Sequence, residues 1–288
     1  MRTASPPTLA APTQPPPEGE GPENYVRCER INSQSALTRV RSTAPLKILS
    51  PRSPTESKTV VLSSFGGGLL GGDRVPIRLH VGGGAALTVL TQSGGKVYRT
   101  TGDWSEQSIT ATVEQDGVLV LVPDPLAAFA GSKYRQIQRF DLAADANLVW
   151  LDTITAGRLA YGERWAMREF SSRTTIAVDG RPILRETLEL SDSPLPIASL
   201  LRMGRFDVYA VLAIAGPRVA AMAEHALGLI RCTPVGKDEP LLAAASPMRG
   251  GVVLRILGRD SQTVRRLVFD LLSPLVTITG QHPWSRKW

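Results

Sequence analysis

The chain has 288 residues, a formal net charge of +7 and a pI near 9.8, with 6% aromatic residues and two cysteines. The cations are scattered in pairs such as Arg39/Arg41 and Arg265/Arg266 with acids between them, and so few aromatics give no stacking platform. The basic excess therefore points to an acidic protein partner rather than to nucleic acid. Cys28 and Cys232 lie too far apart in sequence to form a disulfide framework, and no apolar run approaches the roughly 20 residues of a membrane helix, so a cytoplasmic location is expected.

Residues 1–24 hold seven of the 22 prolines and few large apolar side chains, which predicts a disordered tail ahead of a single β domain over 25–288. Arg2 is outnumbered there by Glu18, Glu20 and Glu23, unlike a transit peptide. A strand is expected over Thr59–Ser63, followed by a glycine-rich stretch. Gly66, Gly68 and Gly71 have the spacing of a dinucleotide fingerprint, but that fingerprint needs a helix next and an acid about 20 residues on. Instead Val75, Ile77, Leu79 and Val81 alternate with Arg74, Pro76, Arg78 and His80, which is a strand pattern. A phosphate loop is excluded as well, because Gly72 and Asp73 stand where Lys and Ser/Thr would have to be. The glycines are read as tight corners with positive φ.

The polar string Thr91-Gln92-Ser93 and the run Lys96-Val97-Tyr98-Arg99 come next. Val118–Val122, Leu148–Ile154 and Val208–Ile214 are continuous apolar runs, expected of strands covered on both faces. Asp179-Gly180 within Thr174–Leu184 predicts a hairpin whose second strand Pro182 confines to an edge. A weak echo joins these elements. Val81-x-x-Gly84-Ala85-x-Leu87 recurs at offsets of 32 and 29 residues, around Asp116-Gly117 and Asp145-Ala146, and again after 34 at Asp179-Gly180. A unit of about 30 residues suggests stacked coils, although any all-β protein contains strand-turn-strand units, so the repeat alone leaves a sandwich open. Two helices are expected. One covers Val219–Leu227 and ends at Gly228. The other is capped by Asp260 or Ser261, carries an apolar stripe at Val264, Leu267, Val268, Leu271 and Leu272, and stops at Pro274. Residues 234–248, with Ala243-Ala244-Ala245, read as a poorly ordered loop.

Little in the chain suggests catalysis. His80, His225 and His282 sit in unrelated segments, and no H-x-x-x-H, C-x-x-C or G-x-S-x-G spacing occurs, so no stable metal or cofactor site is expected. What remains is a set of polar residues in apolar, glycine-rich surroundings: Asp73, Gln92, Lys96, Tyr98, Arg99, Asp152, Arg158, Glu163 and Arg164. They fit either ion pairs that fix strand register, or a wet passage or docking surface. Asp152, Glu163 and Arg158 could alternatively serve a β-solenoid polysaccharide-active enzyme, and a glycan-binding module is the other alternative.

Four blocks in order resemble the UreD (UreH) family of urease accessory proteins, over about Leu62 to Leu275. They are Gly71-Gly72-Asp73 with the following Thr-Gln and Lys-Val-Tyr-Arg; Val122-Pro123-Asp124-Pro125 with Tyr134-Arg135-Gln136; Thr155–Trp165, in a form closer to the eukaryotic members; and Arg255-Ile256-Leu257-Gly258 with the helix ending Leu272-Ser273-Pro274-Leu275. The resemblance implies a mostly β, β-helical stack of sheets with two short α-helices. It also implies a non-enzymatic scaffold that acts with UreF and the GTPase UreG, GTP being bound by UreG, to insert nickel into apo-urease. Nickel would be in transit rather than stored, which suits a chain poor in Cys and His. On this reading Asp73, Asp152 and Glu163 are candidates for a transient nickel path, and Gly71, Gly72, Gln92, Lys96, Tyr98, Arg99, Arg158 and Arg164 are tunnel or partner candidates. Asp73 and Glu163 are expected to matter for urease activation rather than for folding.

Overall fold

A computed structural model describes residues 24–52 and 55–285. The predicted tail lies outside the described residues except for Asn24. That residue opens strand β1 (Asn24–Ile31) at 1% exposure, donating from its amide to Pro76 O and accepting from Thr43 N.

The chain coils. β1 is followed by β2 (Gln34–Arg41), β3 (Leu46–Leu49) and β4 (Lys58–Ser64). Then come β5 (Arg74–Val81), β6 (Ala86–Thr91), the short β7 (Gly95–Val97), β8 (Ser105–Val113), β9 (Val118–Leu121) and the short β10 (Leu126–Ala128). β11 (Lys133–Leu142), β12 (Asn147–Thr155), β13 (Glu169–Val178) and β14 (Arg181–Ser191) complete the stack. Successive coils place β1, β5, β8, β11 and β13 side by side and parallel in a seven-stranded sheet, and β4, β6, β9 and β12 likewise in a ten-stranded one. About four coils stack in this way, a β-solenoid-like arrangement.

Register explains the sequence echo. Leu87 lies beside Leu119 and Leu119 beside Leu148, so the offsets of 32 and 29 are coil lengths. The third offset is not one. Val178 sits beside Leu142, 36 residues away, and at Asp179-Gly180 the chain reverses into the antiparallel edge strand β14. Pro182 falls there next to a bulge, where its missing N–H breaks no ladder. β15 (Val208–Ala215), β16 (Leu241–Met248) and β17 (Gly251–Gly258) then extend the ten-stranded sheet antiparallel.

Burial follows from the layering. One face of the seven-stranded sheet meets solvent, and β5 accordingly alternates, with Val75, Ile77, Leu79 and Val81 inward. The ten-stranded sheet is covered on both faces, so Val118 to Leu121 are all buried. Its inner face packs on the other sheet, and its outer face on helices α1 (Ala220–Arg231) and α2 (Ser261–Leu272).

Two sequence expectations need correction. Gly228 lies inside α1 rather than ending it, because the next turn places Ile230 against the outer core, and that burial outweighs the roughly 1 kcal/mol a helical glycine costs. Residues 234–248 are not simply a loop: Leu241–Met248 form β16, with Ala243, Ala244 and Ala245 paired to Ile256, Arg255 and Leu254. α2 ends at Leu272, just before Pro274 as expected, but helical winding resumes beyond it. Pro274 occupies the first turn of a 3-10 segment, where its missing N–H costs nothing, and a last helix, α3 (Val276–Thr279), follows.

Asp260 caps α2. Its carboxylate accepts from Thr263 N and from Thr263 Oγ1, both at 2.8 Å, and the amide bond holds the carboxyl below its ordinary pKa. Asp260→Ala is expected to cost about 1 kcal/mol in urea unfolding, with the m-value unchanged.

Candidate functional site

One cluster of candidate side chains lies where the inner faces of the sheets turn polar. In β11 the buried Tyr134, Phe140 and Leu142 fix the inward phase, and Gln136 and Gln138 share it, whereas Ile137 points outward at 51% exposure. In β13 Ser172 and Thr174 lie between the inward Phe170 and Ile176. Register aligns Gln107, Gln136 and Ser172 in one row across the seven-stranded sheet. In the other sheet Asp152, Val211 and Arg255 form a row.

Hydrogen bonds join the two rows. Asp152 Oδ2 accepts from Gln136 Nε2 at 2.7 Å, from Ser172 Oγ at 3.2 Å and from Gln138 Nε2 at 3.4 Å. Tyr134 OH donates to Gln136 Oε1 at 3.0 Å and lies 3.4 Å from Gln107 Oε1, while Trp150 Nε1 donates to Gln138 Oε1 at 2.9 Å. Beyond Asp152 a cleft of about 20 Å³, room for one water, leads to Glu186, which accepts from Tyr209 OH at 3.1 Å and is held bidentately by Arg255. At the other end a cavity of about 260 Å³ is lined by Ser63, Gln92, Lys96, Val75, Ile77 and Gln107. A polar seam thus runs between the sheets from Gln92 to Arg255.

Asp152 is the anomaly in this seam. Protein surrounds its carboxylate, and the residue keeps only the partial exposure that the cleft provides. Burial raises its pKa to about 6 against the opposing pull of Ser172 and Gln136. Its partners are amides and a hydroxyl, and no cation pairs with it among the described residues. The same burial, with Asp152 nearby, pushes the Tyr134 phenol up.

The other predicted path residues are placed elsewhere. Asp73 closes a turn, with Oδ2 accepting from Leu70 N at 2.7 Å. Glu163 accepts from Arg158 through both oxygens and from Ala130 N at 3.1 Å, and the Arg158 hydrogen bond holds its carboxyl below the ordinary range. Asp73, Asp152 and Glu163 therefore belong to three separate hydrogen-bond sets. Among the described residues no group of three or more His, Cys, Asp or Glu could hold a metal ion. Glu163 pairs with Arg158, whereas Asp152 is held by Gln136, Gln138 and Ser172.

The glycines are steric. Gly72 has φ +93°, and a Cβ on Gly71 would collide with Thr100. Arg164 donates to Asp207 Oδ1 at 2.6 Å, Gly204 O at 2.5 Å and Phe206 O at 3.3 Å, anchoring the segment that leads into β15. Tyr98 packs edge-on against Phe129 at 5.4 Å, and Arg158 stacks over Phe129 at 4.4 Å. Lys96 and Arg99 are exposed and have no carboxylate partner among the described residues. His80 lies 3.2 Å from Glu114 and 3.6 Å from Glu29 on the outer face, His225 is exposed, and His282 stacks on Phe269 at 3.9 Å.

Sequence reasoning missed Gln107, Gln138, Ser172, Glu186 and Tyr209. The available signal was phase: once Tyr134 and Phe140 are inward, so are the two glutamines between them.

The family model for the UreD urease accessory protein matches residues 23–288. Similar proteins include the urease accessory protein UreD of Sorangium cellulosum, 40% identical over 90% of this chain and 82% of that one. The UreD of Anaeromyxobacter sp. is 36% identical over 89% and 86%. Urease accessory protein D of Oryza sativa subsp. indica is 28% identical over 90% and 94%. The family match over residues 23–288 and the coverage of these relatives show that the chain belongs to the UreD family of urease accessory proteins.

Proposed function

We propose that the chain is a non-catalytic scaffold and nickel conduit that acts with UreF and the GTPase UreG, in the cytoplasm, to load apo-urease. The observation that carries this reading is Asp152, a carboxylate without a cation in a seam of amide and hydroxyl oxygens. Such a charge is costly in a core unless a cation visits it. A divalent ion passing from the Gln92 mouth toward Glu186 would meet oxygen donors at each stage and no thiolate to trap it, which is what transit requires. Nickel is cargo here, and the seam offers it an attractive but incomplete coordination shell.

The test is Asp152→Asn in the full chain, co-expressed with UreF, UreG and apo-urease. Asn keeps the shape and one acceptor oxygen while removing the charge. The nickel content of purified urease is expected to fall at least about tenfold, with the melting temperature not lowered and UreF still co-purifying. Unchanged nickel loading by a folded, UreF-bound variant would remove Asp152 from the path and the conduit reading with it.

A further inference from the structure

We propose that a cup beside β7 is a docking site for an acidic protein segment that carries an aromatic or aliphatic anchor side chain. The cup holds about 530 Å³ and is lined by Leu70, Tyr98, Arg99, Phe129, Arg158 and Glu163, with Ala130 and Gly131 at its base. Its floor is apolar, made by the Tyr98–Phe129 pair. Its wall is a guanidinium sandwich, with Arg158 lying 4.4 Å over Phe129 and 5.1 Å from the Tyr161 ring.

Three observations identify the occupant. Glu163 is neutralised within the wall, because both its oxygens engage Arg158 and one also takes the Ala130 amide. That leaves Arg99 in the cup and Lys96 in the neighbouring cavity as cations without carboxylate partners among the described residues. The rim is also apolar and exposed: Tyr161 is 78% and Leu70 58% exposed. One unmatched cation on an aromatic floor with an apolar rim, and a second just outside it, complement a segment that presents carboxylates around one large side chain. Exposed Arg and Tyr in a preformed hollow also have the composition of a binding hot spot rather than of a solvated face. Lys96 lines the opening of the seam two residues before Tyr98, so a segment seated in the cup would lie beside that mouth. Docking itself does not rest on nickel passing through the seam.

The experiment uses the full chain without nickel and three synthetic peptides: one alternating Glu with Tyr, one with Gln replacing every Glu, and one with Ala replacing every Tyr. Binding is followed by calorimetry, with a melting curve for each variant. The Glu/Tyr peptide is expected to bind, and more weakly as salt rises. The other two peptides, and Arg99→Glu and Tyr161→Ala in the chain, are each expected to weaken it at least about tenfold. Arg181→Glu makes the same change in net charge on an exposed residue at the opposite end of the coil strands, and should leave binding within about twofold. Equal binding of the Gln peptide, or an equal loss in Arg181→Glu, would overturn the proposal by reducing the cup to bulk basic charge. Unchanged nickel loading in Asp152→Asn with peptide binding intact would count against the conduit and not against the cup.

Discussion

Replacing Trp150 with alanine is expected to destabilise the chain by about 3–5 kcal/mol, the largest effect of any single side chain considered. Trp150 is 1% exposed between the sheets, and its ring lies 6.0 Å from that of Phe140. It reaches across from β12 to donate to Gln138 Oε1, and Gln138 is itself only 4% exposed. Alanine therefore opens a void between layers whose backbones are held apart by every other coil, so the walls cannot collapse into it. It also leaves a buried amide oxygen without its donor. Trp150→Phe separates the two costs: most of the volume stays, and the orphaned oxygen alone should cost about 1–3 kcal/mol. For a chain of this size each kcal/mol moves Tm by about 2–4 °C, so the two variants are resolved by calorimetry. A Trp150→Ala protein as stable as Trp150→Phe would mean that the core relaxes freely at this point. The fixed spacing of the two sheets would then not hold at this point.

The parts of the fold legible in the sequence were those written in apolar periodicity. Leu87, Leu119 and Leu148 repeat because they stack in neighbouring coils, and β5 alternates because only one of its faces is covered. The alternation that mattered most for the site was obscured by side-chain identity. Lys133–Leu142 presents Gln136 and Gln138 inward and Ile137 outward, so hydropathy read position by position inverts at the middle of the strand. β16 was missed because an edge strand of alanines and Pro247 carries almost no strand propensity, and it is held by its ladder to β17. Gly228 misled for the complementary reason: a helix terminator is a weak local preference, and the burial of Ile230 overrides it. Asp152 was visible in the sequence, but not its isolation. That depends on Arg255 pairing with Glu186 from the opposite sheet, a contact between residues 69 apart. Asp73 and Glu163 looked equivalent to Asp152 in sequence, yet Asp73 closes a turn and Glu163 pairs with Arg158.

Asp152→Asn is expected to make the protein more stable at neutral pH even as nickel loading falls. In the folded chain the Asp152 carboxyl has its pKa raised from 3.8 to about 6, chiefly by burial. Below the unfolded value the group is protonated in both states and contributes no pH dependence. As pH rises from about 4 to about 6 the unfolded chain releases its proton while the folded chain holds on to it. Stability therefore falls across this window and levels off once the folded group has ionised. The span from 3.8 to about 6 corresponds to about 3 kcal/mol lost by neutral pH. Asn carries no charge at any pH. The two proteins should be nearly equally stable at about pH 4, and the variant more stable by up to about 3 kcal/mol at about pH 8. Urea unfolding at several pH values measures the gap directly. A gap independent of pH, or a variant less stable at pH 8, would mean that the carboxylate has a cation or a water shell that the seam does not display. A gap that opens as described would mean that folding tolerates a charge it would be more stable without, the usual mark of a residue retained for function at the expense of stability. In that case added nickel should narrow the gap at pH 8 for the natural chain alone, because a cation that visits the ionised carboxylate stabilises only the state that contains it.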